Sequence, residues 1–239
     1  MDQNGQPLKA FFSTKPSVCD YFPDRTEAKT VVDLNGAEAQ TWANVLSRAG
    51  FRRSYGLCYI PCCPSCRACV SARVCVQSFV PSGTQKKIGR RNKNLRPAFL
   101  PNVATTEQYE LFKRYLSARH SGSEMEKMQF EEYRAMIEDS PIETGLLELR
   151  DQNRLTAAML VDVLDDGFSA VYSFFDPDEK RKSLGTFMIL ELIRLVKERG
   201  KPYVYLGYLI RGLPNMAYKE NFQPLEYCRD GEWEKSLPD

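Results

Sequence analysis

The sequence predicts a mixed α/β (α+β) fold in two parts, a Cys-rich, β-containing N-terminal module over residues 1–100 and a C-terminal α/β domain over residues 101–239. Three observations predict it. From Ile142 onward the apolar pattern runs strand, strand, strand, helix, strand. Asp165-Asp166-Gly167 stands between two of those apolar runs and has the turn chemistry of a hairpin. The first hundred residues are instead crowded with Cys, Pro and basic groups, a shift in composition that marks a separate module. At 239 residues, with 43% apolar content, the chain can bury one large core or two smaller ones.

In chain order, strand-like stretches fall near Val31 to Leu34, Arg52 to Ile60 and Val70 to Phe79. Pro97 and Pro101 bracket a connector, and Thr105 with Gln108 forms a capping box that starts a helix with Tyr109, Phe112 and Leu116 on one face. A second helix carries Phe130, Tyr133, Met136 and Ile137 and stops near Ser140-Pro141, because a residue before proline is steered away from helical backbone. Strands follow at Gly145 to Arg150, Leu155 to Leu164 and Ser169 to Phe175, then a helix from Ser183 to Arg199 and a strand from Tyr203 to Ile210. That helix has Leu184, Phe187, Met188, Leu192, Leu195 and Val196 on its buried side and Gly200 as its stop. A meander feeding a helix that begins Arg-x-x-x-Gly, then another strand, looks like the acetyltransferase-type (GNAT) α/β fold.

Charge divides the molecule. Between Ala39 and Thr106 there is no Asp or Glu, while eleven of the 33 Lys and Arg fall there, leaving 22 basic against 31 acidic residues elsewhere. An acid-free cationic window is the footprint expected of a polyanion partner, or of a solvated face with no ligand. Met1 to Val18 has neither the basic start nor the apolar core of a secretory signal, and no run approaches the roughly 20 apolar residues that span a bilayer, so the expected compartment is the cytoplasm and no membrane partner is expected.

In a reducing compartment eight cysteines are ligands, reactive thiols or small buried groups rather than a disulfide framework. Cys63, Cys66 and Cys69 form C-x2-C-x2-C, and Cys19 can supply a fourth sulfur after folding, so zinc, an iron-sulfur cluster and free thiols in a tight turn all remain open. Cys62 competes for the same role, whereas Cys58, Cys75 and Cys228 read as structural. His120 is the only histidine, which excludes a His-rich metal site and makes a nucleophilic triad a poor reading.

The runs Val171-Tyr172-Ser173-Phe174-Phe175-Asp176-Pro177-Asp178, Ser183-Leu184-Gly185-Thr186, Tyr203-Val204-Tyr205-Leu206-Gly207-Tyr208 and Met216-Ala217-Tyr218-Lys219 follow in an order that resembles the C-terminal half of the aminoacyl-tRNA-protein transferases, the arginyltransferase family. Cys19-Asp20-Tyr21-Phe22-Pro23-Asp24-Arg25, Gly50-Phe51-Arg52-Arg53-Ser54 and the cysteine cluster match its first half. The short length and the single early Cys19 are most similar to the bacterial branch of that family that moves leucine. The resemblance implies transfer of leucine from leucyl-tRNA to the N-terminal amine of proteins beginning with Asp or Glu, which marks them for N-end-rule degradation; arginyl transfer is the nearest alternative. Asn215 departs from the family, where a Lys commonly precedes the methionine, and Cys62 stands where many relatives have no thiol.

An aminoacyl-tRNA is an activated ester on a polyphosphate, so the transferase needs cations for the acceptor stem, a pocket for the amino acid and a means of presenting an amine. Lys86, Lys87, Arg90, Arg91, Lys93 and Arg96 are the candidate tRNA contacts. Arg52 and Arg53 are the candidates for holding an acidic N-terminal side chain. The α-amine titrates at about 7.7 to 8.0, so on the order of a tenth is already neutral at pH 7 and a strong base is unnecessary. Asp176 is the candidate proton acceptor, with Tyr172, Tyr208, Tyr218 and Lys219 as orienting or oxyanion groups. Acetyl-CoA is not expected, because Phe187 occupies the last small position of the run Lys182-Ser183-Leu184-Gly185-Thr186-Phe187, where a pyrophosphate would pass. A non-enzymatic zinc-dependent RNA-binding module would explain the first half and leave the second without a task.

Overall fold

The computed structural model describes residues 9–180, 182–210, 212–213 and 216–237; Asn215, and the Arg181 that opens the Arg-x-x-x-Gly run, lie outside the described residues. The first stretch contains β1 (Phe11–Ser13), a hairpin of β2 (Ser17–Val18) and β3 (Thr26–Glu27), β4 (Lys29–Asp33), helix α1 (Ala39–Arg48), a second hairpin of β5 (Arg52–Ser54) and β6 (Leu57–Pro61), and β7 (Cys69–Cys75). Helix α2 (Gly83–Arg91), β8 (Leu95–Pro101), α3 (Thr106–Arg119) and α4 (Phe130–Glu138) follow. The chain then runs through β9 (Thr144–Asp151), β10 (Arg154–Val163), β11 (Gly167–Phe175), α5 (Leu184–Glu198), β12 (Tyr203–Ile210), β13 (Leu225–Arg229) and β14 (Glu232–Glu234).

An eight-stranded mixed sheet in the order β14-β13-β7-β12-β11-β10-β9-β8 forms the centre, and a four-stranded sheet, β1-β4-β6-β5, stands beside it. The meander β9-β10-β11 is antiparallel, and α5 carries the chain over to β12, which lies parallel to β11, so the acetyltransferase-like order read from the sequence is the order of the fold. β7, from the first hundred residues, inserts between β12 and β13. Residue 100 therefore divides the chain by composition and not by packing.

Helix α5 covers one face of the sheet with Leu184, Phe187, Met188, Ile189, Leu192, Ile193 and Val196 all buried. Each such side chain contributes about 1.5–3 kcal/mol relative to exposure. Helix α2 packs against α5 through Ile88. The opposite face carries α3 and α4, whose Phe112, Leu116, Tyr133 and Ile137 are sealed against Leu146, Ala158, Leu160 and Phe174. The Thr105–Gln108 capping box forms as read from the sequence, each side chain accepting from the other residue's backbone N–H.

Two local expectations change, and one stretch with no predicted element gains one. The stretch from Arg52 to Ile60 is two strands, broken at Tyr55-Gly56, where Tyr55 takes a φ of +51°. Pro97 and Pro101 lie in a strand, β8, rather than in a connector; β8 is the sheet's edge, where a missing N–H breaks no ladder. The cationic run from Lys86 is part of a helix, α2, opened by a capping box between Ser82 and Gln85. No helix among the described residues is long and apolar enough to cross a membrane.

Candidate active site

β11 and β12 pair only from Gly167–Ser169 to Tyr203–Tyr205, and beyond that point they part. Each strand carries a bulge where the split opens. Val171 is extra in the register of β11 with β10, and Leu206 is extra in the register of β12 with β7. A bulge turns backbone carbonyls out of the ladder, and buried carbonyls need new donors. Arg52 reaches in from β5 and supplies them: Nη2 donates to the Ala170 and Val171 carbonyls at 2.9 and 3.0 Å, and Nη1 donates to Leu206 at 3.4 Å. The guanidinium lies directly over Gly207, whose φ is +73°; a Cβ there would sit 1.1 Å from Nη1. One arginine thus staples the split open, and only glycine leaves it room.

Below the staple is a cavity of about 240 Å³ walled by Met159, Val171, Tyr172, Ile189, Leu206 and Met216, with Tyr218 and Lys219 at its side and no carboxylate lining it among the described residues. Lys219 is 5% exposed, and its ammonium donates to the Tyr208 carbonyl. Burial, and then the charge of Arg52, lower Lys219 from 10.5 to about 7, so it exchanges a proton near neutrality. Burial pushes the phenols of Tyr172 and Tyr218 up, which keeps both as hydrogen-bond donors, and neither hydroxyl has a partner among the described residues. Tyr208 differs: its hydroxyl donates to the Tyr59 carbonyl at 2.9 Å, so it ties β12 to β6 and is not available to a substrate.

Two candidates from the sequence have structural work instead. Asp176 is 2% exposed and accepts from Arg154 at 2.6 Å, from Arg114 at 3.3 Å and from the Asp178 N–H at 3.1 Å. Burial raises its carboxyl, but the Asp178 N–H and the two arginines outweigh burial and hold it below the ordinary range. An anion so firmly held braces the Asp-Pro turn and is a poor proton acceptor. Arg53 gives its Nε–Nη2 fork to Asp162 at 2.8 and 2.5 Å, with both side chains 3% exposed. It cannot reach a substrate carboxylate without abandoning that pair. Replacing Arg53 with Met strands a buried Asp162, and urea denaturation is expected to show a loss of about 3–5 kcal/mol.

A larger cavity, about 480 Å³, opens from the first and shares Ser173, Ile189 and Tyr218 with it. It runs past the start of α5 at Ser183 to Thr186 and carries Arg119 and Lys180 on its rim. A third hollow shares Thr186 and Tyr218 and reaches Ser82, Gln85 and Ile88 of the α2 region. The three hollows thus share lining residues in series from the split to the buried face of α2. Lys86, Lys87, Arg90 and Arg91 lie on α2, Lys93 follows it and Arg96 lies on β8, and all six side chains are exposed. Lys86, Lys87, Arg90, Lys93 and Arg96 have no ion-pair partner among the described residues.

The cysteines gather apart from these hollows. The loop between β2 and β3 brings Cys19 to the 62–69 loop, Arg25 donates to the Cys66 sulfur at 3.4 Å, and the Cys63 thiol points to the Ala28 carbonyl. Burial, and after it the neighbouring Cys63, Cys19 and Cys66, push the Cys69 thiol up to about 12. As placed, no three His, Cys, Asp or Glu side chains among the described residues are close enough to hold a metal ion. The donor chemistry suits zinc or an iron-sulfur cluster, but the spacing of the sulfurs does not. Cys58 is buried, with its thiol likewise pushed up to about 12 by burial, an inert core group as the sequence suggests.

The sequence reading did not find the staple. Its signal was an isolated Gly207 inside the apolar run Tyr203 to Ile210, the usual mark of a bulge or a close approach.

Comparison with known proteins matches residues 17–87 to the N-terminal and residues 107–229 to the C-terminal model of the arginine-tRNA-protein transferases. The chain is 50% identical to an aspartate/glutamate leucyltransferase of Gluconacetobacter diazotrophicus, over 93% of this chain and 86% of the relative. It is 47% identical to the protein of the same name from Paramagnetospirillum magneticum, over 97% of both. Among solved structures, L-PGS from Bacillus licheniformis aligns with a TM-score of 0.45 at 12% identity, covering 59% of this chain and 45% of that one.

Proposed function

The chain belongs to the arginine-tRNA-protein transferase family, and from that premise we propose that it is a leucyltransferase that moves leucine from leucyl-tRNA to the N-terminal amine of proteins beginning with Asp or Glu. The product is marked for N-end-rule degradation. The observation that carries the reading is the split between β11 and β12, an apolar cavity beside a buried Lys219, with adjoining hollows that share its lining residues and extend to α2.

In this reading the 3′ end of the tRNA lies along these hollows, its phosphates near Lys86, Lys87, Arg90, Arg91, Lys93 and Arg96, and the leucyl side chain enters the cavity lined by Met159, Ile189 and Leu206. The acceptor's α-amine attacks the ester carbonyl. The new C–N bond forms, the C–O bond to the ribose breaks with its electron pair on the ribose oxygen, and the nitrogen gives up a proton that the ribose oxygen takes. Neutral Lys219 accepts the proton from nitrogen and returns it to the leaving oxygen, while the hydroxyls of Tyr172 and Tyr218 donate to the tetrahedral oxyanion. Arginine as donor is the second reading, and the lining of the cavity, which holds no carboxylate among the described residues, argues against it, because a buried guanidinium needs an anion.

Transfer of labelled leucine or arginine from charged tRNA to reporters starting with Asp, Glu, Arg or Ala tests the reading. Leucine in the Asp and Glu reporters alone supports it, arginine in them moves the chain to arginyl transfer, and intact tRNA binding without transfer leaves only an RNA-binding module. The six cations also set a salt dependence. Replacing Lys86, Lys87 and Arg90 together with Gln is expected to flatten the log Kd against log salt slope by roughly 0.7–0.9 for each phosphate that is no longer neutralised. Zinc or iron-sulfur binding by Cys19, Cys63, Cys66 and Cys69 is a separate proposal outside the transfer chemistry, supported by the donor chemistry of four neighbouring thiols and not by their spacing. Metal analysis of the purified protein beside Cys63→Ser and Cys66→Ser tests it; equal metal content in all three would dismiss it.

A further inference from the structure

Four arginines among the described residues are not exposed, namely Arg52, Arg53, Arg73 and Arg150. Arg53 pairs with Asp162, Arg73 with Glu226, and Arg150 with Glu148 and Glu107. Arg52 has no carboxylate partner among the described residues. It donates to the three carbonyls of the split, and its Nε–H has no acceptor among the described residues. A half-buried cation held only by dipoles is incompletely compensated, and a carboxylate is the group that completes it.

Space for that carboxylate exists. A cavity of about 280 Å³ lies on the side of α4 and the β5/β6 hairpin, away from α2, and shares Arg52, Val171 and Tyr172 with the transfer cavity. Ser54, Tyr55 and Tyr59 supply polar edges, and Met125 and Met128 supply an adaptable apolar wall. No Asp or Glu among the described residues lines it, and its second guanidinium, Arg53, is already neutralised by Asp162. We infer that this cavity receives the acidic first residue of the acceptor protein, with Arg52 binding its side-chain carboxylate. The inference rests on the transfer reading above and extends it. Donor and acceptor then approach the split from different sides, the tRNA along the hollows that extend to α2 and the acceptor past the β5/β6 hairpin, and Tyr172 stands between them. Arg52 thereby holds the split and selects the acceptor with one side chain.

The experiment places a carboxylate in the cavity. Ser54→Glu and Met128→Glu are assayed with the full-length protein, varying an Asp- or Glu-starting reporter and leucyl-tRNA separately. The expected result is a reporter KM raised at least tenfold, with the KM for leucyl-tRNA within twofold of the unsubstituted protein. An unmoved reporter KM, or a rise confined to leucyl-tRNA, would overturn the assignment; the latter would make the cavity part of the donor site. Ser54 is exposed, so its variant decides the matter if the Met128 variant fails to fold. Absence of leucine transfer by the unsubstituted protein to every reporter would overturn the underlying reading and this assignment with it.

Discussion

Lys219→Met is expected to lower kcat for leucyl transfer by about 10²–10⁴-fold while leaving the KM for leucyl-tRNA nearly unchanged. Methionine fills the same apolar channel, so the loss isolates the proton. The pH profile supplies an independent check. Lys219 works as the neutral amine, whose fraction rises through about pH 7, so the unsubstituted protein should show a rising limb there that the variant lacks. Stability should rise with pH as well. Between about 7 and 10.5 the unfolded chain binds a proton that the folded chain does not, so the folded state gains stability as pH rises through that window and bears the full cost of the buried ammonium below it. The Met variant should therefore be more stable than the parent by a few kcal/mol, order of magnitude, at pH 6, with the gain shrinking toward pH 10. Urea unfolding at pH 6 and 9 and initial rates across pH 6 to 9 measure both. A variant that keeps its kcat within a few-fold of the parent assigns proton transfer to another group.

Gly207→Ala is the second large effect. The added Cβ would occupy the position of the Arg52 guanidinium, 1.1 Å from Nη1, and an L-residue at a φ of +73° costs roughly a further 1–2 kcal/mol. If Arg52 is expelled, the Ala170, Val171 and Leu206 carbonyls lose their donor, at about 1–3 kcal/mol for each buried group left unpaired. The expected outcome is a destabilisation of several kcal/mol together with loss of transfer. The double variant Arg52→Ala, Gly207→Ala should be less destabilised than the sum of the two single variants, because both remove the same staple. Strict additivity in thermal or urea unfolding would mean that Gly207 and Arg52 act separately.

The periodicity of Leu184 to Val196, the Asp165-Asp166-Gly167 turn and the Thr105–Gln108 box were each readable in the sequence because each rests on residues within one or two turns of one another. The acid-free window likewise announced a cationic surface from composition alone, and its six clustered cations are exposed on and just after α2 and on β8. The candidate site was legible only in part. Tyr172, Tyr218, Lys219 and Arg52 converge on one cavity, whereas Arg53, Tyr208 and Asp176, equal to them in the sequence, are committed to Asp162, the Tyr59 carbonyl, and Arg154 with Arg114.

By itself the sequence determined the acetyltransferase-like order of elements and the cationic surface, since these depend on local periodicity, turn chemistry and composition, while its ordered motifs carried the family resemblance. Only the tertiary structure decided which charged side chain is available. Arg52 and Arg53 are neighbours in the chain, but alternation along β5 sends one to the carbonyls of the split and the other to Asp162. Whether a cation meets a buried anion depends on partners more than a hundred residues away, and no local pattern records that.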